Sequence, residues 1–282
     1  MPPEYSNVPE LAYDWMIAAY FFLGGLSAGT FLFSVATTYW KQEFRPLGKP
    51  TAILTPVILA VGMLILLFDL GQPTRAWRLF TSLNVTSALS WAAWILNVFA
   101  VFSVLYAWVL IKNNPEQAKK FAYMGVPFAI MVASYTGMLL AQAPGRPLWH
   151  SAMIPVVFLN GALASGIALG LLVSRGQLGA AQANLGKLLG YLVLLELGLL
   201  VVELFVLFNS GGEGAGAAAG LLTGAYALPF LGIVVVLGII IPAALLLKSK
   251  APALQMVASV LVLIGIFTMR YVVVVGGQTI SG

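Results

Sequence analysis

The sequence contains no cysteine and a single histidine, His150. Without cysteine, the protein offers no thiolate for an iron–sulfur cluster, no disulfide and no cysteine-containing zinc site. One histidine cannot supply the pair of ligands that holds a b-type haem. The sequence has no glycine-rich phosphate loop ending in Lys-Ser or Lys-Thr, which argues against ATP hydrolysis. We therefore expect no metal or haem on this chain, so any redox electrons would come from a partner or a diffusible carrier.

Charged residues are also scarce. They make up 8% of the sequence, whereas soluble domains contain about 25%. Hydrophobic residues make up 61%, which is too many for a surface that faces water. This composition predicts an integral membrane protein surrounded by a lipid bilayer. The net charge of +5 is no sign of a nucleic-acid partner, because basic residues in a membrane protein mostly report its topology.

Long apolar runs predict the membrane spans. A spanning helix needs about 20 apolar residues. Runs interrupted by polar residues, proline and glycine predict eight spans over residues 15–38, 51–70, 88–111, 121–142, 152–174, 188–208, 224–247 and 253–275. All should be helices, because helices satisfy their own backbone hydrogen bonds in lipid and no alternating ten-residue strands are visible. We expect an all-α membrane protein with a single transmembrane domain over residues 1–282.

The basic residues predict the orientation of these spans. An even number of spans places both termini on the same side of the membrane. The loops on the other side hold ten basic residues: Lys41, Arg45, Lys49, Lys112, Lys119, Lys120, Arg175, Lys187, Lys248 and Lys250. The loops on the side of the termini hold Arg75, Arg78 and Arg146. The positive-inside rule places the richer side in the cytoplasm, so both termini should face outward.

A short internal repeat suggests two related halves. The small residues of Gly24–Gly29 in the first span resemble those of Gly161–Gly166 in the fifth span. Four spans in each half would give two parallel four-helix bundles, over residues 1–142 and 143–282. The alternative is that small-residue runs recur in any membrane bundle because they let helices approach closely.

Two acidic residues in the sixth span need an explanation. Glu196 and Glu203 are seven residues apart and share one face of the helix. Ionisable groups inside a membrane are costly, so two acids along one face suggest a proton relay. The alternative is that both are protonated and structural. Arg270 in the last span would hold Glu203 ionised or pair with Asp69.

Other polar residues lie at the outer ends of spans. Asp14 opens the first span, Asp69 closes the second and His150 begins the fifth. Asp14 and His150 would lie at the level of the lipid headgroups or take part in a site. The loop after Asp69 carries Gln72, Arg75 and Arg78 among aromatic residues. This loop is either an interfacial amphipathic segment or, together with Arg146, a docking surface for an external subunit.

Several motifs carry a family resemblance. They are residues 69–80 after the second span, 87–94 at the start of the third, 134–137 and 145–150 around the fourth, and 270–272 with 276–278 near the end. Their order and spacing resemble the polysulfide-reductase or NrfD-type family of quinone-reactive membrane anchors. The resemblance covers nearly the whole sequence, including eight helices with both termini outside.

The resemblance implies a function and partners. Family members lie in the prokaryotic cytoplasmic membrane and bind menaquinone or ubiquinone near the outer face. They stand beside a ferredoxin-like iron–sulfur subunit. That subunit exchanges electrons with a molybdenum- or tungsten-pterin catalytic subunit, or with multihaem cytochromes in some complexes. The protein itself would be the quinone-site subunit.

The resemblance also implies site residues. The tyrosine of the family's Ser-Tyr-x-Gly motif is Tyr135 here, and Tyr20 would complete a quinone pocket near Asp14 and His150. Some members have asparagine and histidine where this sequence has Ile17 and Tyr20. A phenol accepts a proton less readily than an imidazole, so Asp14 or Asp69 would take that role.

A proton-coupled secondary transporter is the alternative function. In that case Glu196 and Glu203 would couple proton movement to transport of a solute. Transporters of this kind have spans that are broken at the midplane. Pro155, Pro229 and Pro242 lie near span ends, while Pro56 and Pro127 start spans, so the predicted spans are continuous. A purely structural anchor would leave the acids inside the spans unexplained.

Overall fold

The computed structural model describes residues 13–69, 88–142 and 146–280. Within these ranges the protein forms helices joined by turns, with no β-strand. The helices are α1 (Trp15–Tyr39), α2 (Arg45–Asp69), α3 (Ala88–Ile111), α4 (Pro115–Ala141), α5 (Met153–Ser174), α6 (Ala180–Asn209), α7 (Gly212–Leu222), α8 (Leu228–Lys248) and α9 (Pro252–Thr279). All except α7 are long and apolar enough to cross a membrane. The prediction of an all-helical protein with eight spans is confirmed.

Three spans begin earlier than the apolar runs predict. The helices α2, α4 and α6 begin at Arg45, Pro115 and Ala180, because polar turns continue each helix beyond its apolar run. The prediction that Pro56 and Pro127 start spans is therefore wrong, since both lie inside helices. A proline inside a helix removes one backbone donor, which packed neighbouring helices in a membrane bundle tolerate.

Irregular helical structure, which the sequence analysis does not predict, occurs in the second half of the protein. The helix α7 lies in a segment expected to be a loop, and it buries Gly214, Ala217 and Leu221. The first part of α8, Leu228–Ile240, is π-helical, and Pro242 follows where the helix returns to α geometry. A second π-helical stretch, Val272–Gly276, lies in α9. Such wide turns are rare and often occur at functional sites.

The helix α1 lies at the centre of the bundle and packs against α2, α4, α5 and α9. Its contact with α5 is made by the two small-residue runs. A Cβ atom on Gly29 would overlap the backbone of Ala162, and one on Gly166 would overlap the backbone of Gly29. The two backbones can approach this closely because neither glycine has a side chain.

The two ends of the described structure meet on one side of the bundle. The Gln278 side chain accepts a hydrogen bond from the Tyr13 backbone N–H (3.0 Å) and donates one to the Tyr13 carbonyl (2.6 Å). Beside them, the Trp149 ring donates to the Val273 carbonyl (2.5 Å) in the π-helical stretch of α9. We call the side where Tyr13 and Gln278 meet the terminal side, and the opposite side the Lys41 side.

Candidate functional site

Two buried tyrosines join α1 to α4 towards the terminal side. The hydroxyl of Tyr20 on α1 and the hydroxyl of Tyr135 on α4 form a hydrogen bond in which either can be the donor. Their side chains are only 6% and 7% exposed. The structure therefore brings together the two tyrosines that the sequence analysis assigns to a quinone pocket. Each phenol can both donate and accept a hydrogen bond.

Two carboxyl groups lie closer to the terminal side. Asp14 caps the start of α1, where its side chain accepts a hydrogen bond from the Met16 backbone N–H (2.7 Å). Asp69 ends α2, and its carboxyl group lies close enough to that of Asp14 for the two to interact electrostatically. The structure thus places Asp69 against Asp14 and not against Arg270.

A second polar cluster lies inside the bundle between α5, α6 and α9. Glu196 is 8% exposed, and its carboxyl group accepts a hydrogen bond from the Asn160 side chain. Arg270 is 2% exposed and donates to the Phe158 carbonyl (2.7 Å), with its guanidinium 3.4 Å from the centre of the Phe158 ring. A charged group can be buried in this way because the carbonyl and the face of the ring both offer it negative charge.

The guanidinium and the carboxyl group of this cluster converge on Gly161. A Cβ atom at Gly161 would lie 3.5 Å from Nη2 of Arg270 and 3.7 Å from Oε1 of Glu196. The absence of a side chain there leaves room for both groups, which are near enough to interact electrostatically. Glu203 and Asp69 were the partners of Arg270 predicted from the sequence, whereas the structure places Glu196 beside it.

Glu203 lies in a separate buried environment, seven residues further along α6. It is 3% exposed, and Ser151 donates a hydrogen bond of 2.6 Å to its Oε2. Its other oxygen, Oε1, has no protein partner, and neither has Nε of Arg270. The seven residues between Glu196 and Glu203 correspond to about 10 Å along the helix, so a proton cannot pass directly from one carboxyl group to the other.

Small cavities adjoin both glutamates. One of about 20 Å³ is lined by Glu196, Gly161 and Met269, and one of about 10 Å³ is lined by Glu203, Leu148 and Met269. A cavity of roughly 10–15 Å³ has room for the centre of one water molecule. Each carboxyl group therefore has space for a single water beside it.

The remaining predicted site residues lie apart from these clusters. His150 is exposed, and its Nδ1 is 3.1 Å from the Ala141 carbonyl at the end of α4. Arg146 donates to the Gly277 carbonyl (3.2 Å) and lies over the Trp149 ring, so it fixes its own loop to the end of α9. Gln72, Arg75 and Arg78 are outside the described residues.

Three residues that complete these sites were not predicted from the sequence. Asn160 holds Glu196, Ser151 holds Glu203, and Trp149 attaches the loop before α5 to α9. Asn160 could have been identified as a functional candidate because it is an amide inside an apolar run, and polar groups in a span need hydrogen-bonding partners. Nothing in the local sequence distinguishes Ser151 from other serines at helix starts.

The described residues contain no group of three or more histidine, cysteine or acidic side chains that could hold a metal ion. The fold and its polar clusters define a multi-pass α-helical membrane protein with hydrogen-bonding and acidic groups inside its bundle. The protein belongs to the NrfD family, because the family model described as polysulphide reductase, NrfD, matches residues 4–282. The resemblance drawn from the sequence motifs is confirmed.

Individual relatives match nearly the whole sequence. It is 28% identical to a polysulfide reductase chain of Wolinella succinogenes, over 99% of this sequence and 97% of that protein. It is 25% identical to the NrfD homolog of Haemophilus influenzae, over 98% of this sequence and 97% of that protein. It is 26% identical to a selenate reductase subunit of Mesobacillus selenatarsenatis, over 93% of this sequence and 72% of that protein.

Proposed function

We propose that this protein is the quinone-reactive membrane subunit of a respiratory oxidoreductase and exchanges electrons between the quinone pool and an iron–sulfur partner. The observation that carries this proposal is the buried pair of hydroxyls of Tyr20 and Tyr135. In an apolar bundle such a pair offers hydrogen bonds to the carbonyl or hydroxyl groups of a menaquinone or ubiquinone headgroup. When a quinone binds, its carbonyl oxygen accepts a hydrogen bond from one of the two tyrosine hydroxyls and replaces the other hydroxyl as the acceptor.

The protons of the reaction need acceptors near this pair. Oxidation of a quinol releases two protons along with its two electrons. Asp14 and Asp69 lie nearer to the terminal side than the tyrosines, and a carboxylate of this pair can accept a proton from the quinol and release it to water on that side. We assign the obligatory protons to this short route. Tyr20 and Tyr135 hold and orient the headgroup.

The names of the relatives support an assignment of partners. Two of them are named as one chain of a polysulfide reductase and one subunit of a selenate reductase, which implies a complex with catalytic subunits. We assign to this protein a ferredoxin-like iron–sulfur subunit and a molybdenum- or tungsten-pterin subunit, or multihaem cytochromes in their place. Electron transfer requires closeness, so the partner docks on the terminal side through Gln72, Arg75, Arg78 and Arg146. This side is the periplasmic face of a prokaryotic cytoplasmic membrane, in agreement with the positive-inside rule.

The bundle is built from two related four-helix halves. Gly29 and Gly166, which occupy the same position in the two small-residue runs, contact each other across α1 and α5. Equivalent positions meet in this way when two parallel repeats are related by an axis along the membrane normal. The first half then carries the tyrosine pair, and the second carries the cluster of Glu196 and Arg270.

Replacing Tyr135 by phenylalanine is expected to slow quinone turnover by about two- to ten-fold, because a buried hydrogen bond contributes about 0.5–1.5 kcal/mol. Tyr20→Phe should have a similar effect. Both variants keep the ring that fills the space between α1 and α4, so assembly of the complex should be unchanged. The measurement is the rate of quinol oxidation or quinone reduction by the purified complex.

A matched control is Tyr191→Phe, since Tyr191 is 62% exposed on α6. Wild-type kinetics in both buried variants would rule out the pocket.

We further propose that Glu203 and Glu196 form a longer proton route through the second half, bridged by water. The support for it is that each carboxyl group adjoins a cavity of one-water size and that Oε1 of Glu203 has no protein partner. Asn160, Ser151 and Arg270 hold the carboxyl groups in place. The alternative is that both glutamates are protonated and structural. In that case the cavities do not need to contain water.

Glu196→Gln and Glu203→Gln distinguish the two assignments. In complexes reconstituted into liposomes, each substitution is expected to lower the number of protons moved per electron, while quinone chemistry on the terminal side continues. Glutamine keeps the shape and one hydrogen-bonding oxygen of the side chain, so the hydrogen bond from Asn160 or Ser151 can persist. Equal proton-to-electron ratios and equal turnover in the variants and the wild type would show that the relay does not exist.

A further inference from the structure

A long apolar groove lies in the half of the bundle that faces the Lys41 side. It has a volume of about 410 Å³ and runs between α1, α4 and α5 to the start of α6. Leu32 and Ala36 of α1, Ile130 of α4, Leu163 of α5 and Leu188 of α6 are among its walls. The groove therefore extends along the helices in the region that the acyl tails of one membrane leaflet occupy.

This groove is separate from the proposed quinone site. The residues of α1 that line it include Gly29, Phe33, Ala36 and Trp40, which recur at the three- to four-residue spacing of one helix face. Tyr20 precedes Gly29 by nine residues, or about two and a half turns, and so lies on the opposite face of α1. A quinone held by Tyr20 and Tyr135 would have to pass around α1 to place its tail in the groove.

The end of the groove has the character of a headgroup site. Lys41 is the one charged residue among its described lining residues, and it is exposed beside Trp40, which is 60% exposed. The Trp40 ring donates a hydrogen bond of 3.1 Å to the Tyr123 hydroxyl, and the Lys119 ammonium lies 6.0 Å from the centre of the Tyr123 ring. Tryptophan and tyrosine are enriched at the level of lipid headgroups.

The nearest acidic residue along the sequence lies outside the groove. Glu43 comes two residues after Lys41, and its carboxyl group accepts a hydrogen bond of 3.5 Å from the Asn184 side chain at the start of α6. Glu43 is not among the residues that line the groove, whereas Lys41 is. Lys41 and Lys119 thus give the mouth of the groove a positive charge. An apolar channel with such a mouth matches a molecule that has a long hydrocarbon tail and an anionic head.

We infer that the groove binds one anionic phospholipid, with an acyl tail between α1, α4 and α5 and its phosphate beside Lys41. Basic pockets between transmembrane helices are known sites for anionic headgroups. The bound tail would fill space between α1 and α5, the helices that join at Gly29 and Gly166. The lipid would therefore stabilise this seam, in addition to any role in the quinone reaction.

The test compares two lipids with the same acyl tails on the full-length protein in detergent. Native mass spectrometry should show one dioleoylphosphatidylglycerol retained at concentrations where dioleoylphosphatidylcholine is lost, and the first lipid should raise the melting temperature. Lys41→Gln should weaken phosphatidylglycerol binding about five-fold, since one lysine near an anionic surface contributes about 1 kcal/mol. The control is Lys250→Gln, because Lys250 is exposed and does not line the groove.

A second variant tests the groove without changing charge. Ala36→Phe places a ring in the channel, and it should abolish the selective retention of phosphatidylglycerol while leaving the mouth intact. If either groove variant fails to fold, the lipid comparison on the unaltered protein and the other variant still decide. Equal retention of the two lipids by the unaltered protein, or unchanged phosphatidylglycerol binding in both Lys41→Gln and Ala36→Phe, would overturn the assignment and leave only non-selective surrounding lipid.

Discussion

Replacing Arg270 by methionine is expected to lower the free energy of unfolding of the bundle by about 1.5–3 kcal/mol or more, as the loss of a buried hydrogen bond from a charged group does. The guanidinium donates to the Phe158 carbonyl and lies over the Phe158 ring. Its removal also leaves Glu196 inside the bundle without a neighbouring positive charge. Reversible unfolding in mixed micelles, followed by circular dichroism, measures the loss.

The double variant Arg270→Met with Glu196→Leu should recover much of that loss. Removing both groups together leaves neither of the two interacting charges uncompensated, and apolar replacement of buried charges that interact is often neutral or stabilising. The remaining cost would come from Asn160, whose side chain loses its partner on Glu196 but keeps the Leu192 carbonyl at 3.1 Å. Equal destabilisation in the single and double variants would show that Arg270 acts only through Phe158.

Gly29→Ala is expected to destabilise the bundle by about 1–3 kcal/mol or more, as overpacking of a close contact does. The added methyl group would overlap the carbonyl of Ala162. Backbone atoms cannot rotate away as a side chain can, so α1 and α5 must separate. The yield of folded protein and its melting temperature in detergent report the effect.

Gly24→Ala is the matched control on the same helix. A Cβ atom at Gly24 would meet no atom of another helix within 4 Å, and alanine favours the helix more than glycine does. The control should therefore be neutral or slightly stabilising. Similar losses in the two variants would mean that the contact between α1 and α5 is not what makes Gly29 necessary.

The spans were predictable because hydrophobicity alone determines which segments can cross a membrane. The same rule could not find α7, since the eleven residues of Gly212–Leu222 are too few to span and are rich in glycine. Hydrophobicity also could not show that Pro56 and Pro127 lie inside helices, because the helices α2 and α4 begin with polar turns that lie outside the apolar runs. The π-helical stretches of α8 and α9 depend on packing with neighbouring helices, which a single segment does not encode.

The polar residues were visible in the sequence, but their partners were not. Glu196, Glu203 and Arg270 stood out because ionisable groups are rare inside spans. Which of them meet depends on the rotation and depth of α5, α6 and α9 relative to one another. The pairing of Tyr20 with Tyr135 was available only through the family resemblance, since the residues are 115 positions apart.

Photolabelling tests most directly whether a quinone headgroup binds between Tyr20 and Tyr135. The purified complex is illuminated with an azido-quinone, digested and analysed by mass spectrometry, with and without an excess of unlabelled menaquinone. The account predicts label in the α1 peptide around Tyr20 and the α4 peptide around Tyr135, lost on competition. The proposed site would be contradicted if the label that is lost on competition lies only in peptides of α8 and α9, with none on α1 or α4.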